Sequence, residues 1–164
     1  MIFYPDSFKI STPTDREIVV ERDFDAPRQL VFDAFTKPEL VRRWLLGPDG
    51  WTMPVCIFEG KPGGKIRYEW ANSDGRSFFL TGEVVAIDAP RRIEHVERMH
   101  LPDPTPDNHV VTTFAADGQG TLMTMRMTLP DEATRSSMLA TGMDRGMEAS
   151  YARLERQSGW KHAA

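Results

Sequence analysis

The chain contains a single cysteine, Cys56, so no intrachain disulfide can staple it and no thiolate cluster can hold a metal. No apolar run approaches the roughly 20 residues that a membrane-spanning helix needs. The opening Met1-Ile2-Phe3-Tyr4-Pro5-Asp6 lacks the basic stretch and apolar core of a secretory signal, and these absences make the cytoplasm the expected compartment. Positive charge is not in excess either: 20 Lys and Arg stand against 24 Asp and Glu, a formal net charge of −4. General nucleic-acid binding needs a basic stripe that displaces counterions from phosphates. The densest basic pairs, Arg42-Arg43 and Arg91-Arg92, instead sit beside turn signals, as solvated faces do. Neither nucleic acid nor membrane insertion is expected. Phosphate-binding loops, nucleophile elbows and dinucleotide fingerprints are also missing, so no catalytic motif is recognisable and no cofactor is expected. The four histidines, His95, His100, His109 and His162, form no close pair at ligand spacing, and no metal is expected.

What is present reads as one α+β domain. With 164 residues, 40% of them hydrophobic and 27% charged, the chain can bury a sizeable core without staples. Residues 1–15 have no period and read as an N-terminal arm, residues 16–158 as the domain, and 159–164 as a C-terminal tail. In 16–24, Ile18, Val20 and Phe24 alternate with Glu17, Glu21 and Asp23, a half-buried strand whose odd member is Arg22. A guanidinium on the apolar side needs a partner there. Asp25-Ala26-Pro27 then opens a helix, with Asp25 as the expected cap and Leu30, Val31, Ala34 and Phe35 as its stripe. Thr36-Lys37-Pro38 breaks it, and a short second helix is expected over 39–45.

From Trp51 to Leu129 the text is strand and turn, punctuated at hairpin spacing by Gly63-Gly64, Ser73-Asp74-Gly75, Asp88-Ala89-Pro90 and Asp117-Gly118-Gln119-Gly120. About six antiparallel strands follow from that spacing. For 53–58 and 81–87 both faces carry apolar residues, so alternation does not decide which points inward. Residues 101–108, with three prolines, form a longer loop. After Pro130-Asp131, Leu139, Met143, Met147, Ser150 and Leu154 recur at helical spacing, with Glu148, Arg153 and Glu155 off that stripe. One helix of roughly 25 residues is expected, reaching ~37 Å.

Arg22-Asp23-Phe24-Asp25-Ala26-Pro27, Val31 to Leu40, Arg43-Trp44, Gly47-Pro48, Pro62-Gly63-Gly64, Gly82-Glu83-Val84, Pro90-Arg91-Arg92-Ile93 and Gly142-Met143…Ser150-Tyr151…Leu154 together resemble the SRPBCC (START-like) superfamily. More narrowly, they resemble the bacterial, AHSA-type relatives of the C-terminal domain of the activator of heat-shock protein 90 ATPase. The resemblance implies a helix-grip fold: a curved antiparallel sheet wrapped around a long C-terminal helix, two short helices after the first strand, and a hydrophobic cavity between sheet and helix. Members of the superfamily bind lipids, steroids, hormones or polyketides, and some catalyse cyclisation. Family members commonly carry a tryptophan after the last glycine of the C-terminal helix; here Met147 follows Gly146. The likeness is to the C-terminal domain alone, so co-chaperone activity does not travel with it.

The residues that would line such a cavity are Trp44, Trp51, Tyr68, Trp70, Met123, Met125, Met127, Met143, Met147 and Tyr151. Each could equally be core, but methionines adapt to variable contents, and Tyr and Trp tips can orient a ligand in an apolar pocket. His95 and Glu97 share a strand face with Ile93; if that face is inward, they are the acid–base candidates. Cys56 reads as a buried thiol. Three functions fit: binding of a small apolar or amphipathic molecule, a cyclase-, aromatase- or hydrolase-like enzyme in the same cavity, or a chaperone-regulator-like interaction module. A homodimer is compatible with the sequence, which does not demand one.

Overall fold

In a computed structural model that describes residues 8–160, the alternating segments pair as expected. Residues 1–7 of the arm, and 161–164 of the tail with His162, lie outside the described residues. The strands are β1 (Lys9–Ser11), β2 (Glu17–Phe24), β3 (Trp51–Phe58), β4 (Lys65–Asn72), β5 (Ser77–Asp88), β6 (Arg92–His100), β7 (Asn108–Asp117) and β8 (Gly120–Thr128). The helices are α1 (Arg28–Thr36), α2 (Pro38–Trp44), α3 (Glu132–Ala140) and α4 (Met143–Ser158). All eight strands join one antiparallel sheet in the order β1-β2-β8-β7-β6-β5-β4-β3. Strands β3 to β8 run as a meander through their short turns, and α1 and α2 span the gap between β2 and the far edge. The C-terminal helix packs on the sheet's inner face, which is the α+β helix-grip arrangement. Within the stretch read as an arm, Phe8 is buried and β1 pairs with β2. At the other end, Trp160 packs against Phe24.

Several local expectations are corrected. Asp25 does not cap α1: Pro27 is its N-cap, with no side-chain cap bond, because the proline ring already fixes the extended entry. Leu30 leaves the α1 stripe and is 49% exposed, while Val31, Phe32 and Ala34 are buried. Asp131 does cap α3, accepting from the Thr134 N–H at 2.7 Å.

The single long C-terminal helix is broken. Gly142, at φ 78°, ends α3 and starts α4. The Leu139–Met143 spacing suggested an uninterrupted stripe, but a left-handed residue between them turns the chain.

Two bulges explain why alternation failed in the two ambiguous strands. Register slips between Val84 and Ala86 in β5, and between Thr52 and Val55 in β3. Each extra residue exchanges the faces beyond it. Val84 therefore faces inward opposite His95, and Ile87 faces inward opposite Ile93. In β3, Cys56 and Phe58 share the inner face with Tyr68 and Ile66. Pro54 sits inside the β3 bulge on the sheet edge, where a missing N–H costs no ladder bond.

Arg22 finds its partners on α4. Its Nε donates to Glu148 at 2.9 Å, Nη2 to Glu148 at 2.6 Å and Nη1 to Glu155 at 2.6 Å. Glu148 and Glu155, expected off the packed stripe, thus face the sheet; their side chains are 13% and 11% exposed. Burial alone would lower the Arg22 pKa, but the bonds to the two carboxylates hold it above the ordinary value. The guanidinium also lies 5.0 Å from the Phe24 ring centroid and 5.8 Å from that of Tyr151.

Replacing the buried guanidinium by Arg22→Met should cost about 3 kcal/mol, because two carboxylates lose the cation they bond, and R22M/E148L/E155L should recover most of it. Urea unfolding midpoints at constant slope measure both; a neutral single variant would remove the anchoring role. Gly142→Ala should lose about 1 kcal/mol to backbone strain alone, since nothing lies within 4 Å of an added Cβ. Gly146→Ala, equally open but inside α4, should gain about 0.5–1 kcal/mol by the same assay.

Candidate functional site

Directly opposed residues of antiparallel strands share a face, and the register collects polar groups in the middle of the inner face. Glu97 of β6 lies opposite Gly82 of β5 and Asn108 of β7. His95, two residues earlier, lies opposite Val84 and Val110. Tyr68 of β4 stands opposite Leu80, which stands opposite Met99. His95 Nε2 and Glu97 Oε1 are 2.7 Å apart; a carboxylate only accepts, so the imidazole N–H donates. The His95 and Glu97 side chains keep 14% and 22% of their exposure, whereas Asn108 keeps 3%.

Two atoms of this group have no hydrogen-bond partner among the described residues: His95 Nδ1 and Asn108 Oδ1, both buried. A buried acceptor left without a donor costs about 1–3 kcal/mol. The charge of Glu97 is felt across the interior. Burial raises the hydroxyl pKa of both Tyr68 and Tyr151; the Cys56 and Glu97 charges add to it at Tyr68, while at Tyr151 Arg22 opposes it and Glu148 and Glu97 add to it. Gly82 leaves the position beside Glu97 without a side chain, and a Cβ there would meet the Val96 carbonyl oxygen at 2.6 Å.

This polar group lies where two hydrophobic clusters meet. Ile93 and Val110, with β2, β8, α1 and α4 residues, belong to one; Val84, Leu80 and Tyr68, with Val41 of α2, belong to the other. The residues read as cavity lining divide between them. Trp44, Met123, Met127 and Tyr151 are buried in the first, with Met125, Met143 and Met147 partly buried against it. Tyr68 and Trp70 are buried in the second, with Trp51 at its margin. Trp44 Nε1 donates to the Ala34 carbonyl at 3.0 Å and Trp70 Nε1 to the Leu45 carbonyl at 2.8 Å. Those indoles fasten α2 to α1 and to the sheet, with no polar tip left for a ligand. Trp51 packs against Phe78 and the Arg76 guanidinium. Two surface recesses of about 250 Å³ lie elsewhere, one at the β7–β8 turn around Asp23 and Asp117, the other between α1, α2 and the end of α4. Trp44 is the one lining candidate that borders either.

Sequence reasoning singled out His95 and Glu97 but missed Asn108 and Gly82. Asn108 follows a proline-rich loop and Gly82 precedes a bulge, so their facing positions emerge only from the register. Cys56 is half-buried on the same inner face, opposite Tyr68. Among the described residues no three His, Cys, Asp or Glu side chains come together to hold a metal, and no helix is long and apolar enough to cross a membrane.

The fold and this inner face define a helix-grip protein whose sheet carries an internal polar group. The family described as Activator of Hsp90 ATPase homolog 1-like protein matches residues 25–158, and the chain belongs to that family. A solved structure from Rhodobacter sphaeroides is similar at 28% identity and a TM-score of 0.87, over 93% of this chain and 99% of that one. One from Mycobacterium smegmatis shares the fold at 20% identity and a TM-score of 0.82, covering 94% and 98% of the two chains. An AHSA1-like protein from Aeromonas hydrophila does so at 19% and 0.73, covering 90% and 97%. No curated relative matches the chain.

Burial pushes the Cys56 thiol up from 9.0 to about 11. At pH 8 its thiolate fraction should therefore fall about 100-fold below that of the unfolded chain, and alkylation depends on thiolate. Iodoacetamide labelling followed by mass should be about 100-fold slower in the native than in the urea-unfolded protein; equal rates would place the thiol in open solvent.

Proposed function

We propose that the chain binds a small amphipathic molecule between the inner face of the sheet and its C-terminal helices, with the molecule's polar end at His95, Glu97 and Asn108. The observation that carries this reading is the pair of buried acceptors without partners, His95 Nδ1 and Asn108 Oδ1. Buried polar atoms are nearly always satisfied, and exceptions in a fold's interior point to a ligand, a water or a catalytic role. From the residues read as lining, the proposal keeps Tyr68, Met125, Met143, Met147 and Tyr151, which lie on the inner face or on α4 and donate to no backbone carbonyl as the two indoles do.

Magnitudes are consistent with modest affinity. Burying ~250 Å² of apolar ligand surface yields about 6 kcal/mol gross. Micromolar binding needs about 8 kcal/mol net of ordering costs. Hydrogen bonds to acceptors that are otherwise unsatisfied supply the kind of term that closes that gap.

A second reading is favoured by one contact. The 2.7 Å bond between His95 and Glu97 is the arrangement in which a carboxylate orients an imidazole for proton transfer, as an enzyme of the cyclase, aromatase or hydrolase kind would need. The interaction-module reading rests on the family's description alone. The large exposed apolar side chains, Leu30, Val85 and Leu101, belong to α1, β5 and the 101–107 loop.

Titration with the neutral fluorophore N-phenyl-1-naphthylamine tests the binding reading. One saturable site is expected, with a Kd on the order of micromolar, weakened at least tenfold by Met147→Asp in a variant with unchanged circular dichroism. A folded protein with no saturable site would sink the reading.

A further inference from the structure

Building on the binding reading just given, we infer that the ligand's polar end is a hydrogen-bond donor with two or more N–H or O–H bonds and no negative charge, in its simplest form a primary ammonium group on an apolar body.

The argument is one of complementarity around three side chains. His95 commits its Nε2–H to Glu97. In the neutral ring that leaves Nδ1 as a lone-pair acceptor. Asn108, 3% exposed and opposite Glu97 in the register, has a buried carbonyl oxygen that is also without a partner. Glu97, between them in the register, is an acceptor with a negative charge. All three present lone pairs. A carboxylate or phosphate head would set lone pair against lone pair and charge against charge, and no lysine or arginine occupies the inner-face positions beside them. By register the nearest cation is Arg16, level with Leu129 and Asn108, whose Nε donates to the Leu129 carbonyl, while the Arg22 guanidinium farther along is engaged by Glu148 and Glu155. An ammonium head brings three donors and a compensating charge. An alcohol brings one donor and can satisfy only one of the two bare acceptors.

Gly82 stands directly opposite Glu97 on β5, and its missing side chain lets the β6 backbone approach closely, since a Cβ there would meet the Val96 carbonyl oxygen at 2.6 Å. The walls on either side are apolar: Val84 and Val110 flank His95, and Ile66 lies opposite Gly82. That combination, acceptors at the floor and hydrocarbon around them, fits a cationic head on an aliphatic or aromatic body.

Displacement of bound N-phenyl-1-naphthylamine by three probes of one chain length, decylamine, 1-decanol and decanoate, separates the possibilities at pH 7.5. Decylamine is expected to displace the fluorophore at concentrations at least tenfold below those of decanoate, with 1-decanol between them. Asn108→Leu should cut decylamine's advantage over decanoate about tenfold, and Asn108→Asp, which keeps an acceptor and adds charge, should restore or exceed the original decylamine affinity. Decanoate binding tighter than decylamine, or three equal probes, would overturn the head-group inference while leaving the binding reading intact. Loss of decylamine affinity in Asn108→Asp equal to that in Asn108→Leu would overturn it too. If the fluorophore finds no saturable site in the folded protein, the binding reading falls and this inference with it.

Discussion

One buried cation organises the domain. Arg22 is on the inner face of β2, fully removed from solvent, and reaches two glutamates seven residues apart on α4. Two turns of helix separate those carboxylates, so holding both at once fixes the position of α4 along its axis and its rotation about it. Apolar contacts alone would tolerate a helix that slides or rolls, since dispersion and area burial carry little direction. The same rotation brings Tyr151 into the core, its ring near Phe24, Phe35 and Trp44. Met147, one residue before the first anchor point, is partly buried against the same cluster.

The inner face depends equally on where the strands slip. Without the β5 bulge, strict alternation from Val84 would carry Ala86 inward and send Ile87 to the outer face. With it, Ile87 joins Ile93 inside while Gly82 and Val84 stay opposite Glu97 and His95. A bulge of one residue therefore sets both the end of the apolar packing and the location of the polar group. The outer face meanwhile uses its charges conventionally. Glu94 accepts from His109 and Arg92, and Arg67 pairs with Glu69 while lying over Phe79. Exposed pairs of this kind add little stability individually, but they keep the solvent side of a large sheet soluble and without sticky stretches.

The order of elements, the antiparallel meander and the need for a partner at Arg22 were all legible in the sequence, because periodicity and turn residues are local signals. The partner's identity was not. Glu148 and Glu155 fall beside the apolar stripe on a helical projection, and a hydrophobicity pattern cannot register that a face is completed by carboxylates meeting a cation from a strand more than a hundred residues earlier. The helix break was missed for a related reason. Gly142 sits between Leu139 and Met143, whose spacing mimics one continuous face, while the conformation of the glycine itself leaves no trace in polarity. Of the candidate site, His95 and Glu97 could be read as sharing a face. Asn108 and Gly82 could not be added, because pairing across a seven-residue loop and through a bulge is a property of the folded register.

The polar group also accounts for the division of the core. A continuous hydrophobic interior would join Ile93 and Val110 directly to Val84 and Leu80 across β5, β6 and β7, and each large apolar side chain so gained would contribute about 1.5–3 kcal/mol. At His95 and Glu97 the sheet instead places an ionisable pair that retains 14% and 22% of its exposure. Complete burial of that pair would be costly, since desolvation can exceed the attraction between partners. Leu45, Phe58 and Ile87 pack against both clusters, so the two are joined around the pair while the pair itself keeps part of its exposure. Stability alone favours filling that seam with leucine or valine. A seam kept polar is a cost to packing, and it is the feature on which the proposed binding of an amphipathic molecule rests.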